Sequence, residues 1–400
     1  MSHSTPSTAA TPRAAGLIQP ILAGVLAAIV GYASTFTLVL AALQAMGASP
    51  QQAGSGLFVL CVVIGLLNIG ISWRLRKPLS IAWSTPGVAL LLSIGMPLGS
   101  FGVTTGAFLM AAGLIVLAGL WGPFGRAVSA IPSSIANAML AGILLTLCLA
   151  PIRAVEQIPL LALPVIAVWV LGLRFARRYA VPLAVLAAFV ALGLTTDLGT
   201  TQFAPAWPSP VLVWPEFTLD GFIRIALPLF IVTMASQNLP GLAVMQANKY
   251  EVAPGPLFVA TGLGSAATAL LGGHSVNLAA ITAAICAGPE AHPDRAQRWV
   301  APVSAGFFYL ALALLASTAA AFIAAAPPLL IEAVAGLALL SSLAGSLAGA
   351  LEHEARRLPA IVTFVTAASG LSAFGLGAAF WGLVAGLVMH FALLQRSTRT

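Results

Sequence analysis

Long uncharged hydrophobic runs, each ended by one or a few charged residues, occupy almost the whole chain. Between Arg13 and Arg74 lie 60 residues without a charge, and small or turn-forming residues interrupt them at 47–52. Because a membrane-spanning helix needs about 20 apolar residues, this stretch predicts two spans joined by a turn. The same pattern continues towards the C-terminus and predicts an all-α polytopic membrane protein.

The charge-free intervals are long enough for about 14 spans. Seven are predicted in residues 17–197 and seven in residues 219–395, with a polar extracytoplasmic loop at 198–218 between them. Residues 1–16 and 396–400 are predicted to be cytoplasmic tails. Since each half has an odd number of spans, the second half enters the membrane in the opposite orientation, which is the inverted repeat of many secondary transporters.

Composition supports this interpretation and excludes most other classes of protein. The chain is 60% hydrophobic and 7% charged, whereas soluble domains have about 25% charged residues. With the N-terminus in the cytoplasm, 15 of the 17 Lys and Arg residues lie on the cytoplasmic side, and only Arg153 and Arg224 lie outside. The net charge of +7 therefore indicates membrane topology rather than nucleic-acid binding. A membrane protein with both termini in the cytoplasm is expected.

The third span is predicted to be broken. Pro86 biases Thr85 towards extended geometry but is tolerated in the first turn of a helix. The sequence therefore predicts an extended segment at 79–84 and a short helix at 86–93.

The tenth span is broken at the corresponding place. Gly272 and Gly273 permit an unwound start, and His274 or Ser275 is predicted to cap a helix that runs on to Ala287. Irregular backbone at membrane depth requires protein or a watery cavity around it. Two such breaks, meeting midway, predict a site where two helix N-termini face an anion. The alternative is that glycine and proline merely kink packed helices.

Ionisable groups inside the spans are candidates for proton coupling. His274 is the one of five histidines at membrane depth away from a span end, and it could bind substrate and carry a proton. Asn277, three residues later, would share its helical face. Glu332 is the only carboxylate inside a predicted span and could relay protons. The alternatives are a histidine and an asparagine that hydrogen-bond within the packing, and a glutamate at the membrane interface.

Other polar side chains are clustered on the first and eighth spans and at the start of the third. These clusters are predicted to line the cavity, although hydrogen bonding between helices would explain them equally well. Trp83 and Phe36 could offer aromatic faces to a ring-bearing substrate. The remaining candidates for substrate binding are Tyr32, Ser34, Thr35, Ser84, Thr85, Gly87, Ser275, Ser236, Gln237 and Asn238.

No catalytic pattern is present in the sequence. His353 and Glu354 begin a run like that of zinc proteases, but Arg357 stands where the second histidine is needed. The cysteines Cys61, Cys148 and Cys286 lie in apolar runs and are predicted to be buried thiols. We therefore expect neither an enzyme nor a bound metal or cofactor.

Two segments resemble the BenE family of benzoate:proton symporters, and the similarity extends over nearly the whole chain. They are Ser80-Ile81-Ala82-Trp83-Ser84-Thr85-Pro86-Gly87 and Gly272-Gly273-His274-Ser275-Val276-Asn277-Leu278-Ala279-Ala280-Ile281-Thr282. Residues 31–35 and the loop 288–298 fit the family as well. The resemblance implies an inner-membrane importer of benzoate coupled to protons, with kinship to uracil permease and sulfate-type anion transporters.

That kinship implies how the spans are arranged in space. Spans one to four and eight to eleven would form a core domain that carries the substrate. Spans five to seven and twelve to fourteen would form a gate domain, which is also the place where a homodimer would form.

The leading hypothesis is import of an aromatic monocarboxylate, benzoate first, with its carboxylate between the two helix N-termini and the proton on His274. A second hypothesis is transport of another small anion, an inorganic oxyanion or an aliphatic acid, on the same scaffold. A passive channel or a non-transporting receptor is a third and less favoured hypothesis. The expected partners are the substrate, protons and membrane lipid.

Overall fold

The structure is a computed structural model dominated by α-helices. It describes residues 16–94, 97–123, 132–195, 207–279, 281–289, 291–325, 327–371, 373 and 378–397. The predicted tails, apart from their innermost residues, and the first part of the predicted loop at 198–218 lie outside this part of the chain.

The elements are helices that follow one another along the chain, and each half contains one short strand. Those of the first half are α1 (Ile18–Ala45), α2 (Pro50–Leu75), β1 (Ile81–Trp83), α3 (Thr85–Ile94), α4 (Phe101–Leu120), α5 (Ser133–Cys148), α6 (Ala150–Gln157), α7 (Pro159–Phe175) and α8 (Ala180–Thr195). Those of the second half are α9 (Leu219–Ala247), α10 (Pro254–Ala269), β2 (Val276–Leu278), α11 (Ile281–Ala287), α12 (Val300–Ala313), α13 (Ala316–Ala325), α14 (Pro328–Leu351), α15 (Arg357–Ala368) and α16 (Ala378–Ser397).

Within the described residues, six helical segments are long and apolar enough to cross a membrane. They are α1, α2, α4, α5 together with α6, α9 and α14. This confirms a helical membrane protein with several spans, while the number of 14 spans stays a prediction.

The turn predicted at 47–52 is shorter than expected. Pro50 already begins α2, because the hydroxyl of Ser49 accepts a hydrogen bond from the Gln52 N–H and the Gln52 side chain accepts one from the Ser49 N–H. This reciprocal pair is a capping box, which satisfies two backbone donors at the helix start.

The change from an extended segment to a short helix that was predicted around Pro86 is confirmed. The chain is extended through β1, and Pro86 is the second residue of α3, where its missing N–H costs no helical hydrogen bond.

The tenth span differs from the prediction. Residues after Gly272, which has φ of +85°, continue into the strand β2, and α11 begins only at Ile281. The predicted helix cap at His274 or Ser275 was therefore wrong. So was the shared helical face of His274 and Asn277, because Asn277 lies in a strand. The physical reason is that Ser265 of α10 bonds to both the N–H and the carbonyl of Val276, which holds the chain extended.

The two irregular segments meet as a two-stranded antiparallel sheet. Ile81 pairs with Leu278, Ala82 with Asn277 and Trp83 with Val276. The Ser84 N–H donates to the Ser275 carbonyl and the Ala279 N–H to the Ser80 carbonyl, over 3.0 and 2.9 Å. Since side chains alternate along a strand, Ala82 and Asn277 face one side of the sheet, and Trp83 and Val276 face the other.

Polar side chains of the preceding helices cover the outer edges of this small sheet. Asn68 of α2 donates to the carbonyl of Ile81 over 2.8 Å and accepts from its N–H over 2.9 Å. Ser265 of α10 does the same for Val276 at 3.1 and 2.9 Å. No water is needed at these edges, which would otherwise expose backbone groups inside an apolar environment.

The long helices pack around the sheet in two groups. In the first group α2 packs on α12, α4 packs on α10, and α1 packs on α12. In the second group α5 packs on α14 and α15, and α15 packs on α16. The large hydrophobic core contains both strands together with residues of both groups.

Candidate functional site

The N-terminus of α3 lies next to α9. The hydroxyl of Ser84 accepts the N–H of Gly87 at 3.1 Å and shares a 2.8 Å hydrogen bond with the hydroxyl of Thr233 on α9. Thr85 is half-buried at the start of the helix. Because Pro86 has no N–H and the Gly87 N–H already has a partner, this turn offers fewer free donors than an ordinary helix N-terminus.

Four aromatic side chains form a buried group, called here the aromatic cluster: Tyr32, Phe36, Trp83 and Tyr309. Tyr32 stacks on Phe36 with ring centroids 5.0 Å apart, and the ring of Trp83 lies 5.9 Å from Tyr32 and 6.0 Å from Tyr309. The indole N–H of Trp83 donates to Oγ1 of Thr35 at 2.9 Å. Tyr32, Phe36, Thr35 and Trp83 were sequence candidates. Tyr309 was not a candidate, because nothing in the sequence around it distinguishes it from the other residues of α12.

Several buried polar atoms near the strands have no hydrogen-bond partner among the described residues. They are the hydroxyls of Tyr32, Ser236 and Ser275 and the carbonyl oxygen of the Asn277 side chain. A buried polar atom without a partner costs about 1–3 kcal/mol, and native structures contain few of them. These four atoms lie on α1, on α9 and on or just before β2, and they indicate a place that a polar ligand or water completes.

His274 is fully buried, and neither ring nitrogen has a partner among the described residues. Its ring lies edge-on to Phe108 of α4 with centroids 6.4 Å apart, and its backbone carbonyl accepts from the hydroxyl of Thr268 on α10. The contacts of this histidine therefore lie on α4 and α10, whereas those of Trp83 lie on α1 and α12.

The polar cluster of the eighth span lies in a π-helical stretch, Met234–Asn238, and such stretches are frequent at functional sites. Asn238 is fully buried and its Oδ1 accepts the N–H of Leu278 at 2.9 Å, so it holds β2 in place. Gln237 is half-buried beside it. Asn238 thus bonds between elements, which was the alternative to a ligand contact.

For two other candidates, the structure describes no contact with the strands. Glu332 is exposed on the first turns of α14. The side chain of Ser34 lies outside the described residues, although its backbone belongs to α1.

Sequence reasoning missed the residues that hold the strands, namely Asn68, Ser265 and Thr268. Their signal was a polar side chain in an otherwise apolar helix, but the sequence alone does not show which backbone group such a side chain reaches.

Arg298 was predicted only as a cytoplasmic loop charge. It is instead buried, and its guanidinium donates to the carbonyls of Ala287, the last residue of α11, and of His292. A cation at this place stabilises the negative end of the short helix. Among the described residues it is the only buried Lys, Arg, Asp or Glu side chain.

Among the described residues, no group of three or more His, Cys, Asp or Glu side chains is placed to hold a metal ion. Cys61, Cys148 and Cys286 are buried and unpaired, as the sequence predicted.

The fold is shared with solved transporters of low sequence identity. The transmembrane domain of the cyanobacterial bicarbonate transporter BicA matches with a TM-score of 0.60 at 15% identity, over 93% of this chain and 97% of that one. Murine Solute Carrier 26 family member A9, an anion transporter in the inward-facing state, matches with a TM-score of 0.64 at 12% identity, over 95% of this chain and 69% of that one.

Curated relatives cover nearly the whole chain. The inner membrane protein YdcO of Escherichia coli K12 is 41% identical over 93% of this chain and 95% of its own. The benzoate membrane transport protein of Acinetobacter baylyi is 32% identical over 94% of this chain and 96% of its own. The model of the BenE family, described as benzoate membrane transport protein, matches residues 17–392. Its members are transporters rather than enzymes, and this chain belongs to the BenE family of membrane transport proteins.

Proposed function

We propose that this protein is a secondary active transporter that imports benzoate, or a closely similar aromatic monocarboxylate, together with protons. The observation that carries the proposal is a set of buried polar atoms on Tyr32, Ser275 and Asn277 that have no hydrogen-bond partner among the described residues. They lie on α1 and on or beside β2, which pairs with the strand that carries Trp83. Membership of a benzoate transport family supports the choice of substrate.

The chemistry of the site suits an aromatic acid. The aromatic cluster supplies ring faces and edges for a phenyl group, and the hydroxyls of Tyr32 and Ser275 are neutral donors for carboxylate oxygens. The positive end of the α3 dipole adds a weaker attraction.

The lack of a compensating cation supports coupling to protons. Arg298 is the only buried Lys or Arg side chain among the described residues, and it bonds to the carbonyls of Ala287, the last residue of α11, and of His292 in the loop that follows. A carboxylate buried without a countercharge costs several kcal/mol or more. A proton that travels with the substrate removes this cost, and His274 is the candidate carrier because it is buried and unpartnered. Glu332 is a second candidate with less support, since it is exposed.

Alternating access would follow from movement of the first helix group, a core domain, against the second group, a gate domain. The packing of α2 on α12 and of α4 on α10 supports the inverted repeat. When the elements of the two halves are matched in chain order, α2 corresponds to α10 and α4 corresponds to α12. The contact between α2 and α12 then matches the contact between α10 and α4, as a repeat requires. The antiparallel pairing of β1 with β2 has the same symmetry.

The proposed location is the bacterial inner membrane with both termini in the cytoplasm. The bias of 15 to 2 in Lys and Arg and the inner membrane relative support it. A homodimer through the gate domain stays a prediction.

Transport of another small anion is the second candidate function. It is favoured by the fold, because the two solved structures described above are named as transporters of bicarbonate or of anions. Competition by unlabelled benzoate against uptake of the other anion separates the two candidates.

The test is uptake of radiolabelled benzoate into proteoliposomes under an inward proton gradient, with empty liposomes as the control for passive entry. We expect protein-dependent accumulation that disappears when an ionophore collapses the gradient. Substitution Ser275→Ala should reduce uptake about tenfold, which corresponds to about 1.4 kcal/mol. Ser134→Ala is the matched control, because Ser134 is another buried unpartnered hydroxyl, placed on α5. Absence of protein-dependent benzoate uptake by folded protein would refute the proposal. Proton-independent conductance would indicate a channel.

A further inference from the structure

A cavity of about 250 Å³ opens between the two helix groups at the far end of α3 from the strands. Leu90 and Ser93 of α3 and Arg224 of α9 line one side, and Ile143 and Thr146 of α5 line the other. The size is close to the lower end of ligand cavities, which are roughly 300–1,000 Å³, and therefore suits a small ligand.

The position of the cavity follows from the geometry of α3 and α9. Thr233 marks the level of the α3 N-terminus, because its hydroxyl bonds to Ser84. Arg224 precedes Thr233 by nine residues, which is roughly 13 Å along a helix axis. On α3, Leu90 and Ser93 are the sixth and ninth residues of the helix, which places them roughly 8 and 12 Å along its axis from Thr85. The cavity thus lies on the extracytoplasmic side of the strands in the proposed orientation.

The lining combines one cation with an apolar surface. Apart from Arg224, the side chains are mainly aliphatic, with the hydroxyls of Ser93 and Thr146 and the ring of Phe380. Arg224 is one of only two Lys or Arg residues predicted on the extracytoplasmic side, so the positive-inside bias does not account for it.

The guanidinium of Arg224 has N–H donors that its ion pair does not use. Its partner Asp220 lies 3.4 Å away and is 53% exposed, so this ion pair is a weak one at the surface. The guanidinium has five N–H donors in a fork that suits a carboxylate. Arg224 also lies in the π-helical stretch Phe222–Ala226, and such stretches are common at functional sites.

We propose that this cavity is an outer binding vestibule for an organic carboxylate with an apolar body, and that Arg224 binds the carboxylate there. The inference rests on the proposed function, since it places a first binding site for the substrate on the extracytoplasmic side of the substrate site at the strands. The apolar lining favours such an acid over a hydrated inorganic oxyanion, because an oxyanion would turn charged oxygens towards the aliphatic walls, whereas the apolar body of an organic acid packs against them.

Chemical labelling tests the vestibule without relying on transport. A Ser93→Cys variant in intact cells is treated with membrane-impermeant methanethiosulfonates carrying either a sulfonate or a trimethylammonium group. The native thiols are buried, so the unsubstituted protein is the background control. We expect the sulfonate reagent to react faster by roughly tenfold, the ratio that about 1.4 kcal/mol of interaction produces. Benzoate should slow the labelling more than formate, which has no apolar body.

Variants of the charged residues complete the test. Arg224→Gln should remove the preference for the sulfonate reagent and the protection by benzoate, whereas Arg224→Lys should keep the preference. Asp220→Asn should increase the preference for the sulfonate reagent, because it removes the negative charge beside Arg224. If Ser93→Cys does not fold, Thr146→Cys places the thiol on the opposite wall.

Equal rates for the two reagents, or labelling that neither benzoate nor Arg224→Gln changes, would overturn the vestibule. If labelling behaves as expected while proteoliposomes show no benzoate uptake, the proposed function fails and the vestibule remains. If uptake is present but the labelling pattern is not, only the vestibule fails.

Discussion

The indole N–H of Trp83 donates a hydrogen bond to Oγ1 of Thr35 over 2.9 Å, and the hydroxyl of Thr35 donates in turn to the Gly31 carbonyl over 3.0 Å. The first bond joins β1 to α1 at the aromatic cluster, and the second holds the Thr35 hydroxyl against its own helix. The buried indole N–H of Trp83 therefore depends on the Thr35 hydroxyl for its hydrogen bond.

Replacing Thr35 by valine tests this dependence. The change keeps the shape of the side chain but leaves the buried indole N–H unpaired, at a cost of about 1–3 kcal/mol. We expect a lower unfolding temperature in detergent and a KM for benzoate raised about tenfold, with a smaller change in maximal rate. Thr35→Ser keeps the hydroxyl and should behave like the unchanged protein. Equal KM values for the valine and serine variants would contradict the prediction.

The edge of the small sheet should be sensitive to loss of Asn68. The variant Asn68→Leu leaves the N–H and the carbonyl of Ile81 without partners. Each buried unsatisfied group costs about 1–3 kcal/mol, so thermal unfolding followed by tryptophan fluorescence should show a clear loss of stability. Ser265→Ala should act in the same direction at Val276. A transition unchanged in both variants would show that the edges are hydrated instead.

Loss of the imidazole of His274 should uncouple transport from protons. In His274→Gln we expect benzoate accumulation under a proton gradient to disappear, while exchange of labelled for unlabelled benzoate continues, because the aromatic cluster is unchanged. The measurement compares uptake against external pH with counterflow in the same proteoliposomes. Accumulation with the pH profile of the unchanged protein would exclude His274 as the carrier.

Close packing of α2 against the second break should make Gly56 intolerant of a side chain. A Cβ at Gly56 would lie 2.5 Å from the carbonyl oxygen of Gly272, which has φ of +85° and cannot shift easily. Gly56→Ala should therefore reduce both the yield of folded protein and uptake. Gly70→Ala on the same helix is the matched control, since nothing lies within 4 Å of its Cβ position. Helix propensity should even stabilise it, by up to about 1 kcal/mol. Similar behaviour of the two variants would contradict this packing.

Local signals in the sequence predicted local features correctly. The restriction that Pro86 places on Thr85 marks where the chain changes from β1 to α3, because it acts between adjacent residues. The glycines at 272 and 273 similarly marked a break in the tenth span. They did not show whether a helix or a strand would follow, since that depends on Ser265, which lies on another helix.

By itself, the sequence determined that the protein is a membrane protein with helical spans. It also determined where two of those helices are interrupted and to which family the protein belongs. The cost of placing charge and unpaired backbone in lipid limits the chain to long apolar helices. Tertiary structure alone decided that Trp83 pairs with Val276, that Asn68 and Ser265 close the sheet edges, and that Tyr309 completes the aromatic cluster. These contacts join residues far apart in the chain, and a hydrogen bond or ring contact forms only when folding brings its partners together.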